Sequence, residues 1–209
     1  MWLLAPTWIA VNAALGVYSG QGLFNLVGER NPDFPDQLLA GGLEGWQIAV
    51  GLLAAGVAFF GGLIYWGNRF KSTRRTTIIF YGIIGGAVLV VGGIAFNHSG
   101  GIEPLLRFPF VLLAGGGLFV LAGATPAALG LLADMSEAYP DDRGAVMGLY
   151  SVFLGFGQIL GSFVGGIAAE RAAIDGLLIA TLVLMGIALI PLYRLRRFEH
   201  QFSPEPASS

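Results

Sequence analysis

Long uncharged runs, separated by short charged segments, constrain this chain more than any other feature of its sequence. Between Arg143 and Glu170 the only ionisable side chain is that of Tyr150, and similar apolar runs recur along the chain. A helix of about 20 apolar residues crosses a hydrocarbon layer of about 30 Å. Because an open strand in lipid would leave its backbone groups unpaired, each run is predicted to be a helix.

Six membrane spans are predicted, and the fold class is therefore an all-α membrane protein. The charged fraction agrees, because it is 11% here and about 25% in soluble domains. Residues 1–198 are expected to form one six-helix transmembrane domain, and the polar segment 199–209 a disordered cytoplasmic tail. The spans are placed at about 3–27, 43–66, 76–96, 108–133, 145–169 and 176–193.

The basic residues predict the orientation of the spans. Eight of the 11 lie on one side of the membrane in this topology, and three lie on the other. Cytoplasmic loops carry an excess of Lys and Arg, so both termini are assigned to the cytoplasm. The expected location is the plasma (inner) membrane, with the lipid bilayer as one partner. The majority set is Arg69, Lys71, Arg74, Arg75, Arg143, Arg194, Arg196 and Arg197, and the minority set is Arg30, Arg107 and Arg171.

Composition excludes several classes of function. The chain has no cysteine, which rules out thiolate catalysis and cysteine metal ligands. His98 and His200 have no partner at metal-ligand spacing, so no metal and no cofactor are predicted. A net charge of −2 without a basic stripe argues against a nucleic-acid partner.

Two charged segments meet on the cytoplasmic side of the predicted topology. Segment 67–75 is basic, and segment 134–144 is mostly acidic. Opposite charges there would pair when the helices above them close and separate when those helices splay apart, which defines a latch. The alternative is that the basic loop only sets topology and that the acids are solvated turn residues. The candidate latch residues are Arg69, Arg74, Arg75, Asp134, Arg143 and Gly144.

Small residues recur along the fifth predicted span. Gly157, Gly161 and Gly165 are spaced by four, and Gly148 lies on the same helix nearer its start. Glycines four apart form a flat backbone face on which another membrane helix packs closely. These four glycines are therefore predicted to be helix-packing positions.

Two loop segments resemble motifs of the major facilitator superfamily of secondary transporters. GNRFKSTRR (67–75) is similar to the family pattern G-x-x-x-D-R-x-G-R-R, although Asn68 replaces the Asp and no Gly follows Phe70. PDDRGAVMG (140–148) is similar to P-x-x-x-R-G-x-x-x-G, with one residue fewer between Pro and Arg. Carriers of this family have two six-helix halves, each built from 3+3 inverted repeats. The chain resembles one half, the C-terminal one.

This resemblance implies a function and a partner. The chain would be half of a secondary transporter that moves a small solute across the membrane by alternating access. Its partner would be a second six-helix half, present as a separate chain, a missing N-terminal half or a second copy. A non-transporting membrane scaffold or assembly protein is the alternative.

A polytopic membrane enzyme is a further alternative. Asp134 and Glu137 form a D-x-x-E pair that is suited to Mg²⁺ on a phosphorylated lipid. No second acidic motif completes such a site, so the chain is predicted not to be an enzyme.

The resemblance also implies a substrate cavity lined by the first and fourth spans, with the second and fifth beside them. No Asp, Glu, Lys or Arg lies at the middle of a span, which favours an uncharged or amphipathic solute. Polar side chains within a span face protein or water rather than lipid. Hydrogen bonding inside a dry bundle is the alternative role for them. The cavity candidates are Tyr18, Gln21 and Asn25 on one face of the first span, Thr125 beside the helix-kinking Pro126, and Gln158.

Overall fold

The computed structural model describes residues 4–69, 73–137 and 143–198, without the side chains of residues 135–137, 143, 146–147 and 198. The predicted tail at 199–209 lies outside the described residues. Helices and their connections make up the whole described part, with no β-strand in it, which confirms the all-α class. The first five helices are α1 (Leu4–Val27), α2 (Gly45–Arg69), α3 (Arg75–Asn97), α4 (Phe108–Ala122) and α5 (Ala124–Glu137), with a 3₁₀ turn at Pro104–Arg107 before α4.

The last helical stretch, Arg143–Phe198, contains a chain reversal. Ala172 and Ala173 have non-helical backbone angles, and Ala173 has a φ of 46°. The stretch therefore comprises two helices, α6 (143–171) and α7 (174–198). Gly176 lies directly against the backbone carbonyl of Ala168, where any side chain would overlap, so α6 and α7 form a tight hairpin.

The fourth predicted span is divided into α4 and α5. Pro126 has no amide hydrogen, and its ring crowds the carbonyl of the residue four positions earlier, which is Ala122. Helix α4 ends at that residue, and α5 begins at Ala124 after a turn at Gly123. A proline in the sequence thus accounts for the break, which lies one turn before it.

Four helical segments in the described ranges are long and apolar enough to cross a membrane. They are Gly45–Arg69, Arg75–Asn97, Pro104–Asp134 and Gly148–Arg197, and the last spans the reversal at Ala172. Helix α1 is 24 residues long but is not among them, because polar side chains such as Asn12 and Gln21 lower its mean hydropathy. The predicted count of six spans therefore stays a prediction.

Small residues let α1 and α6 pack side by side. A Cβ atom built on Gly157 would lie 2.7 Å from the carbonyl oxygen of Ile9. Gly161 abuts the backbone of Ala13, and Gly165 abuts that of Val17, both still more closely. The contacts advance by four residues on both helices, so α1 and α6 run parallel. Close backbone approach of this kind is what small residues in membrane helices provide.

The same kind of contact joins the other helices. In α2, Gly62 abuts Phe119 of α4 and would place a Cβ 2.9 Å from Ala122, and in α3, Gly85 approaches Gly117 of α4. In α3, Gly86 faces Met185 of α7.

Two three-helix sets, α1–α3 and α4–α7 (with α4 and α5 together forming one helix of the set), are therefore paired reciprocally. The first helix of each set packs on the second and third helices of the other, and the two third helices pack on each other.

Candidate functional site

At one end of the bundle, an ion pair links the two helix sets. Arg75 begins α3, and its Nη1 forms an ion pair with Oδ2 of Asp134 near the end of α5. The same nitrogen donates a hydrogen bond to the carbonyl oxygen of Gly130. The two side chains are 22% and 36% exposed. This end, where α1 and α6 also begin, is called the Arg75 end.

The other predicted latch residues belong to helix ends and connections at this end of the bundle. Arg69, in the last turn of α2, has its guanidinium 5.6 Å from the centre of the Tyr65 ring, within cation–π range. Arg74 precedes α3 and is exposed. No described atom lies within 4 Å of a Cβ built on Gly144. The side chain of Arg143 lies outside the described residues.

The predicted packing glycines divide into two groups. Gly157, Gly161 and Gly165 abut α1, as described above. Gly148 has no described atom within 4 Å of an added Cβ, so the described part of the chain places no helix against it. The seam with α1 thus begins at Gly157.

Three of the predicted cavity residues lie on α1. Tyr18 reaches α7, where its hydroxyl lies 2.9 Å from Oγ1 of Thr181, a residue that is 1% exposed. This contact corresponds to hydrogen bonding inside the bundle. Asn25 donates from its amide nitrogen to the carbonyl oxygen of Gln21, 2.8 Å away within the same helix. Thr125 is half-buried on α5.

An exposed polar strip follows the junction of α1 and α6. Ser19 Oγ donates a hydrogen bond of 2.9 Å to Oε1 of Gln158. Gly20 lies next to Ser162, whose Oγ would be 3.3 Å from an added Cβ. Gln158 was predicted from the sequence, whereas its partner Ser19 was missed. A single serine beside a glycine does not indicate a functional position in the sequence. Its contact depends on the packing of α1 against α6.

The opposite end of the bundle carries a polar cluster that the sequence reasoning missed. Asn97, the last residue of α3, donates from Nδ2 to Oδ1 of Asp175 at 2.8 Å, and its Oδ1 accepts from the backbone N–H of Leu39 at 2.9 Å. Nε2 of His98 lies 2.5 Å from Asp175, and Nδ1 lies 3.2 Å from Asp36. This end is called the Asn97 end.

His98 titrates under the influence of these two acids. The hydrogen bond with Asp175 raises the pKa of His98, and the negative charges of Asp175 and Asp36 add to the rise. Among the described residues, no group of three or more His, Cys, Asp or Glu side chains is arranged to hold a metal ion.

Gln37 fixes the reversal between α6 and α7 from the loop that precedes α2. Its Nε2 donates to the carbonyl oxygen of Ala172 at 3.1 Å, and its Oε1 accepts from the backbone N–H of Ile174 at 3.1 Å. The side chain is 3% exposed. One amide group thus satisfies the backbone groups that the non-helical angles at Ala172 and Ala173 leave free.

Comparison with known proteins adds one finding. A family model described as Major Facilitator Superfamily matches residues 2–208. No curated protein and no solved structure matched the chain. The match extends over nearly the whole sequence and includes the loop segments 67–75 and 140–148.

Proposed function

The chain belongs to the major facilitator superfamily of membrane transporters, and from this premise we propose that it forms one half of a secondary transporter. That half has six spans and moves a small solute by alternating access together with a second half. The family is one of transporters rather than enzymes. The proposal includes a plasma (inner) membrane location with both termini in the cytoplasm.

The main observation that supports this proposal is the reciprocal pairing of the two helix sets. The seam between α1 and α6 has its counterpart in the contact of α4 with α2, and α3 packs on α7. Such pairing is typical of inverted repeats, and carriers built from them alternate between two states by rocking one unit against another.

The exposed surface supports a second half as partner. Only 6% of the most apolar window of α2 is buried, although the mean hydropathy of that window is 2.2. Helix α2 therefore offers a long apolar face for lipid or for another helix bundle. The partner half is a separate chain, a preceding half or a second copy.

The polar strip is the proposed contact with the solute. Ser19 and Gln158 are linked to each other, and both are partly accessible. Tyr18, Gln21, Asn25 and Thr125 remain proposed cavity residues. The absence of mid-span charges favours an uncharged or amphipathic solute.

The absence of cysteine from the chain permits a direct test of alternating access. A single Ser19→Cys variant, assembled with its partner half in liposomes, is exposed to a membrane-impermeant maleimide from either side. We expect labelling from both sides, because the strip would face each side in turn. Replacing Arg75 by Gln should shift labelling towards the Arg75 end, because the latch is then weakened.

A matched control uses Thr181→Cys, which lies inside the bundle at 1% exposure and should stay unlabelled from both sides. Labelling of Ser19→Cys from one side only, unchanged by Arg75→Gln, would contradict alternating access at this strip. Equal labelling of Thr181→Cys would instead indicate that the bundle is open throughout.

A further inference from the structure

A cavity of about 770 Å³ lies at the Asn97 end of the bundle. It is bounded by the first turns of α2 and by the adjoining ends of α1, α3 and α4. Leu26, Val50, Leu52 and Phe96 contribute to a lining that is mostly apolar. Val50 and Leu52 are more than half exposed, so the cavity opens sideways along α2.

Two arginines, Arg30 and Arg107, belong to the same lining. Arg30 Nη2 donates to the carbonyl oxygen of Pro35 at 2.9 Å. Arg107 donates from Nε and Nη2 to the carbonyl oxygens of Ile102 and Gly100, at 2.8 and 3.0 Å. These bonds fix the guanidinium groups and leave further N–H donors on each.

Neither arginine is neutralised by an acid within the described ranges. The ion pairs found there involve Arg75 and His98, and no carboxylate oxygen lies within 4.0 Å of Arg30 or Arg107. Two oriented positive charges therefore border an apolar cavity. An occupant that complements both features has an anionic head and an apolar tail.

The position of the cavity favours a lipid over a dissolved molecule. Trp46 stands in the first turn of α2, is 64% exposed, and donates its indole N–H to Glu44. Tryptophan with a polar partner at a span end is typical of the membrane–water interface. Arginine at that depth meets lipid phosphates, while the lining below it meets acyl chains.

We propose that this cavity binds an anionic membrane phospholipid, with an acyl chain against the apolar lining and the phosphate on Arg30 and Arg107. Guanidinium groups pair with phosphate oxygens through two parallel hydrogen bonds, which makes arginine well suited to this head group. A zwitterionic lipid brings its own cation and gains less from the two charges. The inference goes beyond transport and does not rest on it.

The first test counts the lipids retained by the purified chain. The protein is taken from phosphatidylcholine bilayers that contain a minority of phosphatidylglycerol, and native mass spectrometry measures which lipid stays bound. We expect preferential retention of phosphatidylglycerol. The double variant Arg30→Gln with Arg107→Gln should lower that retention about tenfold or more.

A matched control is Arg171→Gln, which removes the third arginine of this side of the predicted topology. Arg171 is exposed and does not line the cavity, so its variant should retain phosphatidylglycerol like the parent chain. An equal loss in both variants would assign the effect to net charge and overturn the proposed site.

A second pair of variants tests the cavity without touching the arginines. Gly51 lines the cavity and Gly56 lies further along the same helix, and neither has an atom within 4 Å of an added Cβ. Gly51→Phe should fill the space and expel the lipid, whereas Gly56→Phe should leave it bound. Unchanged retention in Gly51→Phe would overturn the proposal. When palmitate is added to the bilayers as a competitor, its retention in place of phosphatidylglycerol would also overturn the proposal, in favour of a free amphipathic anion.

Discussion

The two ends of the helix bundle are held together by different chemistry. At the Arg75 end, one partly exposed ion pair with Asp134 links the two helix sets. At the Asn97 end, the side chains of Gln37 and Asn97 are 3% and 0% exposed and bond to backbone and carboxylate groups. An exposed ion pair contributes about 0–1 kcal/mol, whereas leaving a buried polar group unpaired costs about 1–3 kcal/mol.

This difference predicts at which end the contacts between the two helix sets cost less free energy to break. Separating Arg75 from Asp134 exposes both charges to water, which solvates them well. Separating the helix sets at the Asn97 end would leave buried amide groups without partners. Breaking the contact between Arg75 and Asp134 is therefore expected to cost less free energy than breaking the buried contacts at the Asn97 end.

The largest effect is expected from Asn97→Ala. The change removes the bonds to Asp175 and to the backbone of Leu39, and we expect the free energy of unfolding to fall by about 2–3 kcal/mol. Equilibrium unfolding in mixed detergent micelles measures it. Asn25→Ala is the control, because that side chain bonds only to its own helix and should cost clearly less. Equal losses would remove the distinction between the two ends.

A smaller effect on stability is expected from Asp134→Asn. The change removes one side of a partly exposed ion pair, so the free energy of unfolding should shift by no more than about 1 kcal/mol. Accessibility should change more than stability, with faster maleimide labelling of Ser19→Cys from the Arg75 end. Exchanging the charges, with Arg75→Asp and Asp134→Arg together, should restore the parent rate. A stability loss as large as that of Asn97→Ala would contradict the comparison.

The smallest effect is expected from the protonation of His98. Its pKa is raised in the folded chain, chiefly by the hydrogen bond with Asp175. The stabilisation is therefore complete below the unfolded pKa of about 6.5 and is lost as pH rises through the higher folded value. Because the imidazole is 36% exposed, the change should stay below about 1 kcal/mol. Unfolding midpoints at about pH 6 and pH 8 should differ in the parent chain and not in His98→Gln.

Local features of the sequence predicted much of the helical structure. Hydropathy is a property of neighbouring residues, so the helices lie close to the predicted spans, and the family resemblance is confirmed by the match over residues 2–208. Proline chemistry, also local, explains the break between α4 and α5. The predicted topology placed a basic segment and an acidic segment on the same side of the membrane. Arg75 belongs to the first and Asp134 to the second, and the two form an ion pair.

The sequence analysis did not predict the contacts between distant segments of the chain. Gln37 bonds to residues about 135 positions later, and nothing in its loop distinguishes it from a solvated glutamine. The sequence analysis found no metal-ligand spacing around His98 and did not single out Asn97. Their acid partner, Asp175, follows the chain reversal at Ala172 and Ala173, and neither of these residues is the glycine or proline that would indicate a reversal. Tyr18 was placed on the correct helix, but its partner Thr181 depends on how α7 packs.

The close backbone contacts along the parallel seam between α1 and α6 restrict how these two helices can move relative to each other. Backbone meets backbone at Gly157, Gly161 and Gly165, so neither helix can slide along the other without driving a side chain into the opposing chain. Motion along the helix axes is therefore expected to carry α1 and α6 together. Ser19 of α1 and Gln158 of α6 are hydrogen-bonded across this seam, so a solute that contacted both would keep both contacts as the two helices move together.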